Sequence, residues 1–250
     1  MRVVELAQLT SPEFEKALAD YKMIILPVAS IEQTGSHCPL GTDLFVAGKV
    51  AAELAAKAGG LAAPAIPYGD TLELDFWPGT VNVPPGVLGP YLEAVARSFI
   101  RRGEVSIVFL CTHSLNLKSV DLLCRRLHAE GYRVCAIDWW KAVGMAAKGQ
   151  TTSREPQGHG GEIISSVMLA IAPQLVHLEA AEDEDSLPGL SYAGSHMPGS
   201  PFIAYGDFRE YCRSGAWGEV SQISDAEKGR LWMDKAIEAC SAFLKEWQAR

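Results

Sequence analysis

Two apolar runs, Met23-Ile24-Ile25-Leu26 and Val105-Ser106-Ile107-Val108-Phe109-Leu110, constrain the fold more than any other feature of this chain. Both are too short for a typical helix, and their β-branched residues mark strands buried on both faces. Both break into loops that carry ionisable side chains and lead on to helical patterns. Leu61–Ile66 and Tyr132–Ile137 read as further strands, with helices over about 44–58 and 87–102 and another ending near Glu130. Strand and helix alternating through short links predict an α/β chain whose parallel sheet is covered on both faces by right-handed crossovers.

The flanks are read more simply. Val3–Leu6 suggests a short strand, and Thr10-Ser11-Pro12-Glu13 a capped helix start. Residues 67–85 form a long loop with a Trp77-Pro78-Gly79-Thr80 turn; loops of that length inside a compact domain tend to be functional. Residues 141–158 are polar and glycine-containing, expected as an irregular segment over the site. An apolar helix over Ile163–Ala172 follows, then an acidic, Pro/Gly-rich solvated stretch over 181–200. Ser224-Asp225-Ala226-Glu227 starts a closing helix that runs to Trp247. With no repeat and no linker, residues 1–250 read as one domain.

The chemistry gathers in three loops, carrying Glu32, Thr34, His37 and Asp43; His113; and His159 with Glu162. Each is expected to follow a strand, and open α/β sheets place their ligands beyond the carboxyl ends of their strands. Carboxylates and imidazoles converging there suit a divalent ion such as Zn²⁺ or Mn²⁺, and with it hydrolysis. His128 and His177 read as helix or surface residues. Competing motifs are missing: there is no GxGxxG after the first strand, no GxxxxGK[ST] and no GxSxG. Cys111 or Cys38 beside His113 leaves a thiol nucleophile as a minor alternative.

Composition narrows the partners. A formal charge of −8 argues against binding a nucleic-acid backbone. No membrane helix or signal peptide is expected, and six cysteines without CxxC spacing read as reduced thiols of a cytoplasmic protein.

Residues Pro27-Val28-Ala29-Ser30-Ile31-Glu32-Gln33-Thr34-Gly35-Ser36-His37-Cys38-Pro39-Leu40-Gly41-Thr42-Asp43 resemble, with identical spacing, the LPxGSxEQHGPHLPLGTD motif of the creatininase (creatinine amidohydrolase) family. Trp77-Pro78-Gly79-Thr80 is similar to that family's FPGT. Cys111-Thr112-His113-Ser114-Leu115-Asn116 sits where the family has NGHGGN or NGHxEN. Gly158–Ser166 resembles HAGExETS, and Gly215-Ala216-Trp217-Gly218-Glu219 resembles GVxGDP. The matches run in order along nearly the whole chain.

The resemblance implies a three-layer α/β/α sandwich with a mostly parallel central sheet. It also implies metal-activated water for C–N hydrolysis, and a homo-oligomer that in many members is a hexamer. Carried over by position, Glu32, Asp43 and His113 hold a first metal, and His159 is an acid/base residue with Glu162 beside it. His37, Thr34 and Trp77, near these groups, are the candidates for orienting substrate. The family's second metal needs three groups that stand here as Thr34, Leu115 and Ile164. One ion per chain is therefore expected, Zn first and Mn or Fe next.

The leading expectation is a metal-dependent hydrolase of a small polar, cyclic amide, with creatinine itself disfavoured by the altered metal set. Two alternatives remain open: a C–C hydrolase opening a cyclic diketone such as a diketo-inositol, and a non-catalytic relative that binds metal or ligand.

Overall fold

The computed structural model describes residues 5–183, 208–210 and 212–250. Val3 and Val4 of the expected first strand, and the acidic stretch beyond Asp183, lie outside the described residues. Strands β1 (Met23–Val28), β2 (Leu61–Ala62), β3 (Ser106–Cys111) and β4 (Val134–Asp138) form one sheet in the order β2-β1-β3-β4, every pair parallel. All residues of β1 and β3 are buried, in a register that sets Met23 opposite Ser106 and Val28 opposite Cys111.

Side chains leave these strands alternately to the two faces. Met23, Ile25, Val108 and Leu110 join one core with helices α2 (Thr42–Ala58), α5 (Trp139–Ala146), α6 (Glu162–Ile171) and α7 (Ala226–Ala249). Ile24, Leu26, Ile107 and Phe109 join the other with α3 (Pro85–Ile100) and α4 (Leu117–Ala129), and Phe14 and Leu18 of α1 (Ser11–Asp20) pack against its edge. This is the expected three-layer sandwich. Helix α1 begins in the capping box its sequence announces: the backbone N–H of Thr10 donates to Glu13 Oε2 at 2.8 Å. No described helix is long and apolar enough to cross a membrane.

Two expectations need correction. Strand β2 stops at Ala62, because Pro64 has no N–H to give a ladder; the chain returns to β1 only at Ile66, whose N–H donates to Pro27 O at 3.0 Å. The segment expected to be irregular opens instead inside α5. Asp138 caps that helix by accepting from the Lys141 N–H, and Trp139 and Val143 sit one turn apart in the core. Eight residues with Lys141 and Gly144 among them carry too little periodicity to be read as a helix from sequence.

The topology fixes where a site can form. The helix after β1 covers one face and the helix after β3 the other, so the chain parts between two neighbouring strands. That crevice, beyond their carboxyl ends, is the topological switch point where such sheets bind ligands.

Helices α6 and α7 meet at Gly229, where a methyl group would overlap the Ser166 carbonyl and crowd the Val167 nitrogen. Gly→Ala gains about 1 kcal/mol in an open helix. Here backbone faces backbone and cannot yield, so Gly229→Ala is expected to lose about 1–3 kcal/mol. A urea midpoint below wild type would show it; a higher midpoint would mean the helices can part.

Candidate metal centre

The loop after β1 carries Ser30 and Glu32 and turns into α2, whose second residue is Asp43. The loop after β3 brings in His113. These come from opposite sides of the switch point, yet one ligand atom from each of Glu32, Asp43 and His113 lies within 4.8 Å of the others. All three are buried, at 3%, 5% and 6% exposure.

Second contacts aim His113 and Asp43 inward. His113 Nε2 lies 2.8 Å from the Asp70 carbonyl, which can only accept, so that nitrogen carries a proton. Nδ1 is thereby turned on the carboxylates, 2.8 Å from Glu32 Oε2 and 3.4 Å from Asp43 Oδ2. Asn116 steadies this arrangement: its Oδ1 accepts from the Asp70 N–H at 2.9 Å and its Nδ2 donates to Ala29 O at 3.0 Å. Asp43 receives the Ser30 hydroxyl on Oδ2 at 2.8 Å and the Trp140 indole N–H on Oδ1 at 3.0 Å. Thr112 Oγ1 donates to the Asp43 carbonyl at 3.0 Å, tying α2 to the end of β3.

Charge follows from this geometry. Burial alone would raise Glu32, but the positive His113 beside it holds the carboxyl below its ordinary value. For Asp43 burial dominates, and the neighbouring negative Glu32 adds to it, so this carboxyl is raised. Burial would lower His113, yet the two carboxylates raise it well above the ordinary imidazole value. The ion-free site thus keeps a second proton on Nδ1. Glu32 Oε2 is buried against that Nδ1, its charged partner at 2.8 Å. Once that proton leaves, the Nδ1 lone pair and the Glu32 and Asp43 oxygens face one point, the donor set a divalent cation requires, so the residues present fit one.

His159 stands beside this group, with Nε2 2.7 Å from the Gln33 carbonyl and 3.9 Å from Glu32 Oε1. Its ring meets Phe208 edge-on at 5.8 Å and Trp217 at 6.1 Å, and Trp77 lies 5.9 Å from Phe208. Trp77 therefore joins an aromatic wall running from the 67–85 loop to His159.

Three of the residues read as candidates are occupied elsewhere. Glu162 is wholly buried: Oε2 accepts the N–H groups of Thr152 and Ser153 at 2.8 Å, and Oε1 faces Lys228 Nζ at 3.1 Å. It clamps the preceding loop and α7 to the start of α6. His37 Nε2 lies 3.0 Å from Gly160 O and 2.8 Å from Ser165 Oγ, and burial lowers its pKa. Thr34 Oγ1 turns back to the Glu32 carbonyl at 3.4 Å. The loop holding His159 and Glu162 does not follow a strand, because β4 passes straight into α5.

Thiol chemistry finds no support. Burial pushes Cys38 up to about 11 and Cys111 further still, leaving both protonated near neutrality.

Sequence reasoning passed over Ser30, Asn116, Trp140, Phe208 and Trp217 as parts of this region. Asn116 follows His113 by three residues, which was a usable signal. Trp140 and Phe208 come from distant segments with no motif to mark them.

Comparison with known proteins bears on the family and the fold. The sequence profile of the creatininase family, described as creatinine amidohydrolase, matches residues 7–244. The chain is 26% identical over 266 residues to the creatinine amidohydrolase of Pseudomonas putida, covering 97% of this chain and 96% of that one. It is 26% identical over 235 residues to the mycofactocin precursor peptide peptidase of Mycolicibacterium smegmatis, covering 90% and 85%. It is 28% identical over 185 residues to the 3-dehydro-scyllo-inosose hydrolase of Thermotoga maritima, covering 71% and 59%. A crystal structure of creatininase superposes with a TM-score of 0.81 at 24% identity over 98% of both chains, a likeness of fold. A mutant creatininase of Zn-Zn type and a Mn creatininase, at 23% and 24% identity, superpose at 0.80, again a likeness of fold.

Proposed function

Because this chain belongs to the creatininase family, we propose that it is a metal-dependent hydrolase holding one divalent ion between Glu32, Asp43 and His113. The observation that carries this reading is the buried convergence of His113 Nδ1 on Glu32 Oε2 at 2.8 Å and Asp43 Oδ2 at 3.4 Å. Two carboxylates and one imidazole suit Zn first, then Mn or Fe. Thr34, Leu115 and Ile164, a hydroxyl and two aliphatic chains, argue for one ion rather than two. A bound divalent ion would bring the pKa of its water down to about 7 and polarise a substrate carbonyl.

The chain's own residues do the rest. Glu32, Asp43 and His113 would hold the ion, His113 kept in place by the Asp70 carbonyl and Asp43 by Ser30 and Trp140. His159 lies beside the ligand set but outside it; with Nε2–H donated to the Gln33 carbonyl, its Nδ1 takes a proton from the attacking water and returns it to the leaving group. Trp217, Phe208 and Trp77 shield that side from solvent and offer flat faces to a ring. The substrate this favours is small, polar and cyclic, opened at a C–N amide bond. Similarity to the Thermotoga maritima inosose hydrolase supports a second reading, ring-opening of a cyclic diketone at a C–C bond.

Elemental analysis of protein purified without added metal tests the site. About one Zn, Mn or Fe per chain is expected; two would restore a dinuclear site, and none, with no uptake on titration, would leave a non-catalytic relative. With ion in place, turnover of cyclic amides against cyclic ketones separates the two chemistries. Calorimetry adds a check on sign. The raised pKa keeps His113 doubly protonated near neutrality in the ion-free chain, so ion uptake must expel a proton. Affinity is then expected to fall as pH drops, and the heat of binding to depend on the buffer.

A further inference from the structure

Helix α5 contributes one side chain to the metal centre. Asp138 pins the helix start, accepting on Oδ1 from the Lys141 N–H at 3.3 Å and from Ser114 Oγ at 3.1 Å, one residue past His113. From that anchored turn Trp140, half-buried against the core, directs Nε1 at Asp43 Oδ1. An indole nitrogen can only donate.

The two oxygens of Asp43 are thereby divided. Oδ1 takes the indole N–H at 3.0 Å, while Oδ2 takes the Ser30 hydroxyl and faces His113 Nδ1 at 3.4 Å. Nothing within Asp43 enforces this, because the terminal torsion of a carboxylate is broad and nearly two-fold. A carboxylate with both oxygens free can bind a cation through either or both. The constraint comes from the helix opposite.

We propose that Trp140 is a positioning residue, whose N–H holds Asp43 Oδ1 out of the coordination sphere and limits Asp43 to one ligating oxygen, Oδ2, for one cation. This rests on the reading of Glu32, Asp43 and His113 as an ion site. Packing by the ring alone does not account for the bond, because a ring without an N–H would leave Oδ1 without this donor.

The test titrates metal-stripped wild type and Trp140→Phe with Zn²⁺ against a chelating dye, and records the visible spectra of both with Co²⁺. Trp140→Phe keeps an aromatic ring and loses the donor. A 10–100-fold loss of Zn²⁺ affinity is expected, the range typical of groups that orient a ligand. A weaker Co²⁺ absorption is also expected, as the released Oδ1 raises the coordination number; a change of packing alone would leave that spectrum unmoved. Equal affinity and identical spectra would overturn the role of Trp140 while leaving the ion site standing. A wild-type chain that takes up no ion would overturn both.

If Trp140→Phe does not fold, the wild-type indole resonances decide. The Trp140 N–H is expected to exchange slowly with solvent and to shift when Zn²⁺ is added. Fast exchange with no shift would overturn the proposal.

Discussion

Glu32→Gln is expected to strip the chain of its ion, and turnover with it. The substitution keeps the side chain's volume and removes its charge, at a residue 3% exposed whose Oε2 lies 2.8 Å from His113 Nδ1. The ligand set falls from two carboxylates to one, and an amide is a poor replacement. Losing a group that merely orients a ligand costs about 10–100-fold in metal affinity, so losing a ligand should cost more than that. In the ion-free protein the variant also removes the charge that raises His113 most, so its ring should release the Nδ1 proton at lower pH than in wild type. Chelator competition measures the affinity, and circular dichroism of the ion-free form separates loss of ligand from loss of fold. Wild-type ion content in Glu32→Gln would remove this site from consideration.

His159→Gln should split the two properties that Glu32→Gln loses together. The His159 ring lies 3.9 Å from Glu32 Oε1, touching the ligand set without belonging to it. Ion content is therefore expected to stay at the wild-type value. Turnover should fall roughly 10²–10⁴-fold, the usual worth of a positioned acid/base. The amide can still donate to the Gln33 carbonyl that Nε2 now contacts at 2.7 Å, which protects the loop. If ion and activity disappear together, His159 is a ligand rather than the proton carrier. If neither changes, the proton is moved by another group.

Much of this site was legible before any coordinates, and the reason is local. Glu32, Asp43 and His113 sit past buried apolar runs, and burial of every residue along β1 and β3 places those runs in the middle of a parallel sheet. Once they are neighbours, the loops at their carboxyl ends must meet. Glu162 was misjudged for a related reason. It lies in the same short stretch as His159, but as the first residue of α6 its carboxylate turns to the N–H groups of Thr152 and Ser153. His37 likewise was read as orienting substrate beside the ligand set, and the fold spends its Nε2 on Gly160 and Ser165.

The sequence by itself determined the sheet, its parallel order of strand and helix, and which ionisable groups stand at its carboxyl edge. Those follow from periodicity and from the short reach of loops. Only the tertiary structure decided how each group is aimed. The Asp70 carbonyl sets the tautomer of His113, Trp140 and Ser30 divide the oxygens of Asp43, and Phe208 completes a wall begun by Trp77. Each of these contacts joins elements far apart in the chain. Their geometry is set by helix packing across the sheet, for which no local pattern exists.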